Sequence, residues 1–322
     1  MMRNDNGAGA KVTGAHVPQV PRRHLLAGGL VGAAVLSVVA NTAVAQTQGA
    51  GSLSSEAANN LNFALNLEYL LNQYYRMGVL GIKSLEAART SGTGTPGLPT
   101  GGRQVKFATG STIKPIVTEI IYQQGGHIDM LRAILKTNIV SQPAMNLAGD
   151  ETGAFTQFAR YAEIVGATET FDPYASDLNF LVGGYIIGEE MHRVLRSILP
   201  GISDAMLLEP LTGLFGTHSY YSGILREALL RSAQTTPAVL EWVDKIAAAF
   251  NTLSGQTIAT GIRATSVNGV TVASHASLDA SGSAAARSPA QALNIFYIKR
   301  GAATSGGFFP AGVNGAIKNS AA

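Results

Sequence analysis

Ionisable side chains lie on the apolar faces of four predicted helices. Glu68 stands in the middle of the stretch 61–78, where hydrophobic residues recur at helical spacing and no proline interrupts them. His127, Glu189 and His218 fall on the inward stripes of three later segments. An unpaired carboxylate in an apolar interior is unfavourable by several kcal/mol, so such groups usually bind a metal, form ion pairs or lie at the edge of the stripe. The pattern predicts a polar centre inside a helical bundle.

The segments that must position these groups are predominantly helical. Between the helical segments, the span 90–112 is rich in Gly, Pro, Ser and Thr and is expected to be a loop. The span 267–270 is typical of a β-hairpin with an Asn-Gly turn. Glycines at 125, 126, 184, 188, 213 and 216 are expected to permit close approach of the helices. Helices are predicted over 56–78, 115–136, 152–167, 177–199, 210–232, 237–252 and 290–300.

The first 45 residues read as an export signal. Arg22-Arg23 precede a weakly apolar run of about 16 residues, and Ala43-Val44-Ala45 is a small-x-small cleavage pattern. The competing interpretation is a membrane anchor, which normally needs roughly 20 apolar residues. We therefore expect a twin-arginine-type signal at 1–45, no stable membrane anchor after cleavage, and a periplasmic or secreted protein. A linker at 46–55, a helical bundle at 56–253 and a Gly/Ser/Ala-rich extension packed on it at 254–322 complete the predicted organisation.

Charge and composition exclude several classes of function. Four of the 23 Lys and Arg residues and one of the 20 Asp and Glu residues belong to the leader, which leaves 19 of each. A balanced chain has no excess positive charge for phosphates, so nucleic-acid binding is not expected. The absence of cysteine excludes disulfides, thiolate metal ligands and cysteine nucleophiles. No nucleophile-elbow motif or phosphate-binding glycine loop occurs either.

Several ordered sequence blocks resemble an exported ferritin-like family that includes the plant desiccation-related proteins and bacterial homologues. The resemblance implies an all-α fold, a ferritin-like four-helix bundle with a long crossover, followed by a C-terminal extension that holds the small β-hairpin. It implies little about activity, because one fold supports many functions. The blocks are LNFALNLEY at 61–69, HIDMLR at 127–132, FDPYASDLNFL at 171–181, SPAQALNIFY at 288–297 and GGFFPAGVNG at 306–315.

The resemblance also indicates which metal ligands are kept. Glu68 matches the carboxylate of the first helix, and the acidic position of the third helix falls at 188 or 189, where we favour Glu189. The two Glu-x-x-His motifs of such bundles read Gln124-x-x-His127 and Phe215-x-x-His218, so both histidines remain and both carboxylates are lost.

Two carboxylates cannot balance the four positive charges of two divalent ions, which makes a dinuclear centre improbable. Glu68, His127, Glu189 and His218 could instead bind one divalent ion, Fe, Mn or Zn. Alternatively, they hold no metal and form buried hydrogen-bonded pairs that fix the helix register. A permuted site that uses His192 is a further alternative.

The leading functional prediction is an exported, non-catalytic structural or stress-associated protein, with desiccation protection implied by the resemblance alone. The alternative is a metal-dependent oxidoreductase or metal-binding protein with a mono- or dinuclear Fe or Mn site in the bundle core. A homo-oligomer or an extracellular protein partner is compatible with either interpretation. Metal analysis of the exported protein distinguishes the two functions. A chelator lowers the stability of a protein that binds metal, whereas the stability of a metal-free protein does not change.

Overall fold

A computed structural model describes residues 53–81, 85–273 and 275–321. The predicted signal segment and most of the predicted linker lie outside these residues. The helices are α1 (Ser55–Leu80), α2 (Ala87–Thr90), α3 (Ile113–Leu135), α4 (Ala154–Tyr161), α5 (Asp177–Gly188), α6 (Met191–Ile198), α7 (Ala205–Ser232), α8 (Ala238–Ser254) and α9 (Pro289–Tyr297). The strands are β1 (Pro99–Thr100), β2 (Met145–Asn146), β3 (Thr265–Val267) and β4 (Val270–Val272).

Helix α1 is the centre of the bundle and is buried on nearly all sides. It begins where the Ser54 hydroxyl accepts a hydrogen bond from the Ala57 amide, and it ends at Gly81 in the left-handed conformation. Helices α3, α5 and α6 pack around it, and α7 closes the bundle against α5 and α6. The span 136–176, which contains α4, is the long connection between the two helical pairs. The predicted mainly helical bundle is confirmed.

The helix predicted over 177–199 is two helices in the structure. It breaks at Glu189 and Glu190, between α5 and α6. At this point the Arg193 guanidinium donates a hydrogen bond to the main-chain oxygen of Glu189 at 3.2 Å. A side chain therefore bonds to a carbonyl group that accepts from a main-chain amide in a regular helix. Neither proline nor an unusual backbone angle marks the break, because Glu189 and Glu190 both keep right-handed helical dihedrals.

Other boundaries also differ from the prediction. Helix α7 begins at Ala205 rather than at 210, because the Asp204 carboxylate caps it and Pro210 fits within its early turns. The segment predicted as a helix over 152–167 is helical only over Ala154–Tyr161. The loop at 90–112 contains β1, which pairs in parallel with β2.

The C-terminal region packs on the bundle. Strands β3 and β4 form the expected antiparallel hairpin around Asn268 and Gly269, both with positive φ. The ring of Phe308 is fully buried against Phe155, with 5.0 Å between ring centroids.

Buried Asn66 and half-buried Asn314 join α1 to the C-terminal region. The Asn66 side chain donates to the main-chain oxygen of Asn314 at 2.8 Å and accepts from the Asn314 amide at 3.1 Å. The Asn314 side chain in turn donates to the main-chain oxygens of Thr95 and Ser141. Asn314 therefore connects α1 to the loop at 90–112 and to the connection at 136–176.

No helix within the described residues is long and apolar enough to cross a bilayer.

Gly183 allows close packing of α5 against Tyr74 on α1 and against Pro173. A Cβ atom there would lie 2.8 Å from Pro173 Cβ and would also clash with the hydroxyl of Tyr74. That hydroxyl cannot move freely, since it donates to the Phe180 main-chain oxygen at 2.8 Å. We expect Gly183→Ala to lower the free energy of unfolding by about 1–3 kcal/mol, as overpacked cores do.

The matched control is Gly213→Ala on α7. No atom lies within 4 Å of a Cβ built at Gly213, so alanine there should raise the stability by at most about 1 kcal/mol through helix propensity. Urea denaturation followed by circular dichroism measures both changes. Equal stability of the two variants would contradict the packing assigned to Gly183.

Candidate metal centre

Three of the sequence-predicted ligands meet in the bundle core. The Glu68 Oε1 atom lies 2.6 Å from His218 Nε2 and 3.3 Å from His127 Nδ1. One ligand atom from each of the three residues lies within 4.8 Å of the other two. Glu68 comes from α1, His127 from α3 and His218 from α7, so the register of three helices brings the group together. This geometry could hold a single divalent metal ion.

The protonation states suit a metal. Burial alone would raise the pKa of Glu68, but the imidazoles of His218 and His127 outweigh it and hold the pKa at about 2. Burial lowers the pKa of His218, and this effect exceeds the opposing pull of the Glu68 charge. The pair is therefore a carboxylate and a neutral imidazole at neutral pH. Metal ligands need these forms, since a proton and a metal compete for the same lone pair.

Unpaired lone pairs in the same group also fit a metal. Among the described residues, Glu68 Oε2 and His127 Nδ1 are buried and accept no hydrogen bond. The contact of His127 Nδ1 with Glu68 Oε1 lacks hydrogen-bond alignment. Two imidazoles and one carboxylate with open positions form the donor set that non-haem Fe(II) sites use. A divalent ion would satisfy these lone pairs and offset the negative charge of Glu68.

The structure does not bring Glu189 into this group, in contrast to the sequence-based expectation. Its Oε1 atom accepts from Arg193 Nη2 at 2.9 Å and lies 3.3 Å from Arg226 Nη1, while Oε2 accepts from the Ser222 hydroxyl at 2.5 Å. Burial raises the pKa of Glu189, but Arg193 and other nearby cations lower it below its usual value. Both oxygens of this carboxylate are thus used by neighbouring donors.

Glu189 belongs to a buried ion-pair network. Glu190 accepts from Arg193 at 2.7 Å and from Arg287 at 2.6 Å, and Arg287 also donates to the Ser254 hydroxyl. Arg226 donates to the main-chain oxygens of 260 and 261. The network, which ties the break between α5 and α6 to the C-terminal region, consists of Glu189, Glu190, Arg193, Arg226 and Arg287, each exposed by at most 1%.

The remaining histidines of the described chain lie elsewhere. His192 is buried rather than at the helix surface, but it is not part of the group formed by Glu68, His127 and His218, so the permuted site is not assembled. Burial lowers the pKa of His192 to about 4. His275 is half-buried and lies 2.8 Å from a Glu227 oxygen.

Sequence reasoning missed Tyr221, whose ring lies beside the histidines of the centre, and the ion pairs that hold Glu189. The Tyr221 ring lies 5.4 Å from the His218 ring and 6.2 Å from the His127 ring, measured between centroids, and its hydroxyl bonds to Gln123. The helical spacing of Tyr221 from His218 was visible, but it fitted a core residue equally well. The spacing of Glu189 and Arg193, at i and i+4, was also visible and indicated an ion pair.

Comparison with known proteins identifies the fold family of the chain. Residues 56–231, more than half of the chain, match the family described as the ferritin-like domain. A protein from Nesocodon mauritianus, named ferritin-like catalase Nec2, is 24% identical over 271 residues, which cover 80% of this chain and 83% of that protein. No solved structure matches the chain significantly. The similarity to desiccation-related proteins stays a prediction.

Proposed function

Because this chain belongs to the ferritin-like family, we propose that it is an exported oxidoreductase that binds one iron or manganese ion and decomposes hydrogen peroxide. Glu68, His127 and His218 are the proposed ligands, and their convergence at one buried point is the observation that carries the proposal. The name of the relative from Nesocodon mauritianus, a catalase, supports the choice of reaction. Two molecules of hydrogen peroxide would give two molecules of water and one of dioxygen.

One ion fits this centre better than two. The second carboxylate that the sequence offered, Glu189, is held by Arg193 and Arg226, whose positive charges already balance it. Gln124 and Phe215 stand where the ferritin-like motifs would place further carboxylates. A second divalent ion would therefore enter a low-dielectric core without anionic ligands, which is strongly unfavourable.

The residues around the centre have separable roles. The bound ion would supply the electron transfer with peroxide oxygen. Glu68 supplies the negative charge, and His127 and His218 supply neutral nitrogen ligands. The Tyr75 hydroxyl and the Gln124 amide oxygen are buried and, within the described residues, form no hydrogen bond. They lie on the same helix faces as Glu68 and His127, where they could orient a small oxygen compound.

The non-catalytic prediction has less support than the oxidoreductase. A purely structural network would favour neutral or fully paired groups, yet Glu68 Oε2 is an anionic oxygen without a partner among the described residues. The close contact of Glu68 with His218 is nevertheless compatible with a metal-free pair. Metal content decides between these functions.

The test is the metal content of the exported protein together with its release of dioxygen from hydrogen peroxide. We expect about one Fe or Mn ion per chain, lost in His218→Ala and Glu68→Gln because a single site with three protein ligands tolerates no missing ligand. His275→Ala is the matched control, since it removes a histidine outside the centre. Parent protein without bound metal, or unchanged dioxygen release from His218→Ala, would refute the proposal.

A further inference from the structure

An open groove lies between α3 and α7, next to the metal centre. It has a volume of about 440 Å³, in the range typical of small-molecule sites. Its lining combines isoleucine, glycine and tyrosine with the polar side chains of Glu119, Gln123 and Thr217, and small-molecule sites also combine apolar surface with polar groups. Its lining includes Ile116, Ile120 and Gln123 on α3 and Gly216, Tyr220 and Tyr221 on α7.

Glycines on α7 keep this groove open. The sequence suggested that Gly213 and Gly216 permit close helix approach, but no atom lies within 4 Å of a Cβ built at either position. Both glycines line the groove and are exposed. They therefore create space between α3 and α7 instead of helix contact.

The inner end of the groove adjoins the two histidine ligands. Gln123 precedes His127 by one helical turn, and Tyr221 follows His218 by one turn, so each shares a helix face with a ligand. The Tyr221 hydroxyl donates to the Gln123 amide oxygen and so joins the two helices there. His127 is the ligand with the most exposed side chain, at 14% against 2% for His218 and 0% for Glu68.

We propose that this groove is the entrance through which a small, neutral oxidant such as hydrogen peroxide reaches the centre, and that Tyr221 and Gln123 form its inner barrier. The inference rests on the function proposed above. Among the described residues that line the groove, the formally charged side chain is that of Glu119, which disfavours anions such as superoxide. Tyr221 and Gln123 act as positioning residues and are not ligands.

Leucine at Gly216 tests the route. A Cβ atom at this position meets no atom within 4 Å, so the larger side chain would extend into the groove, and leucine has a higher helix propensity than glycine. The probe is nitric oxide, a neutral diatomic, whose association with the Fe(II)-loaded protein is followed by stopped-flow absorbance. We expect Gly216→Leu to slow association about tenfold, which corresponds to about 1.4 kcal/mol in the barrier, at unchanged iron content.

The matched control is Gly223→Leu on the same helix. A Cβ at Gly223 also meets no atom within 4 Å, but Gly223 lines a neighbouring depression that does not include Tyr221. Nitric oxide should associate with the Gly223→Leu variant at the same rate as with the parent protein. Tyr221→Phe keeps the ring and removes the bond to Gln123, and should speed association about fivefold, the equivalent of one typical net hydrogen bond.

The possible outcomes separate the two proposals. Iron retained with equal association rates in the parent, Gly216→Leu and Gly223→Leu overturns the entrance and leaves the metal site intact. Equally slow nitric oxide association in Gly216→Leu and Gly223→Leu also overturns the proposed entrance, because the effect would not come from the groove beside Tyr221. A parent protein that retains no iron overturns the proposed function and the entrance together.

Discussion

Glu190→Gln is expected to lower the free energy of unfolding by about 3–5 kcal/mol, the usual effect of removing one partner from a buried ion pair. Glu190 is fully buried, and its two oxygens accept from Arg193 and Arg287. Without its charge, the three buried guanidiniums of Arg193, Arg226 and Arg287 would face the single carboxylate of Glu189. Glutamine keeps the volume but cannot supply the missing charge.

Chemical denaturation in the presence of chelator measures this change, with the fluorescence of Trp242 and far-ultraviolet circular dichroism as probes. Glu209→Gln on α7 is the matched control, because Glu209 is exposed and should change stability by no more than about 0.5 kcal/mol. If both variants unfold at the same denaturant concentration, the buried network does not stabilise the fold.

The protein is expected to lose about 3 kcal/mol of stability between pH 7 and pH 4 through His192 alone. Burial lowers the pKa of this imidazole to about 4 in the folded protein, with a further contribution from the charge of Arg193 against opposing contributions from Glu189 and Glu190. Unfolded histidine titrates near 6.5, so below that pH the unfolded state binds a proton that the folded state does not. The contribution of the neutral His192 imidazole is therefore fully present above pH 6.5, and the free energy of unfolding falls as the pH is lowered toward 4.

Denaturation curves at several pH values, recorded in chelator, measure this dependence. His192→Gln keeps a polar side chain that does not titrate, and its curve should be flatter than that of the parent by the same about 3 kcal/mol over this range. Identical pH dependence of the parent and His192→Gln would show that the imidazole is protonated equally in both states.

The fold and three of the site residues could be predicted because they depend on local patterns. Helical spacing and the Ser54 cap define α1, and the phase of each stripe places Glu68 and His218 in the core and His127 at its edge. The Asn268-Gly269 turn defined the hairpin for the same reason. Each of these features is specified by residues within a few turns of one another.

The rest depends on contacts between distant residues. Glu189 has the right helical phase for the centre, but Arg226, 37 residues away, reaches its carboxylate. Glu190 bonds to Arg287 across 97 residues, and Tyr221 bonds to Gln123 across 98. Periodicity indicates which face is buried but does not identify the cation or amide that lies opposite.

The bond between Asn66 and Asn314 has a consequence for biosynthesis. It spans 248 residues, so a ribosome must have made the chain as far as Asn314 before Asn66 on α1 can form this bond. Until then the Asn66 side chain keeps its bond to the main-chain oxygen of Asn62 but lacks the donor and acceptor that Asn314 supplies. A buried polar group without its partner is unfavourable by about 1–3 kcal/mol. Contacts of such long range form slowly because they must close a long loop, so synthesis and folding of the segment around Asn314 limit when α1 acquires these partners.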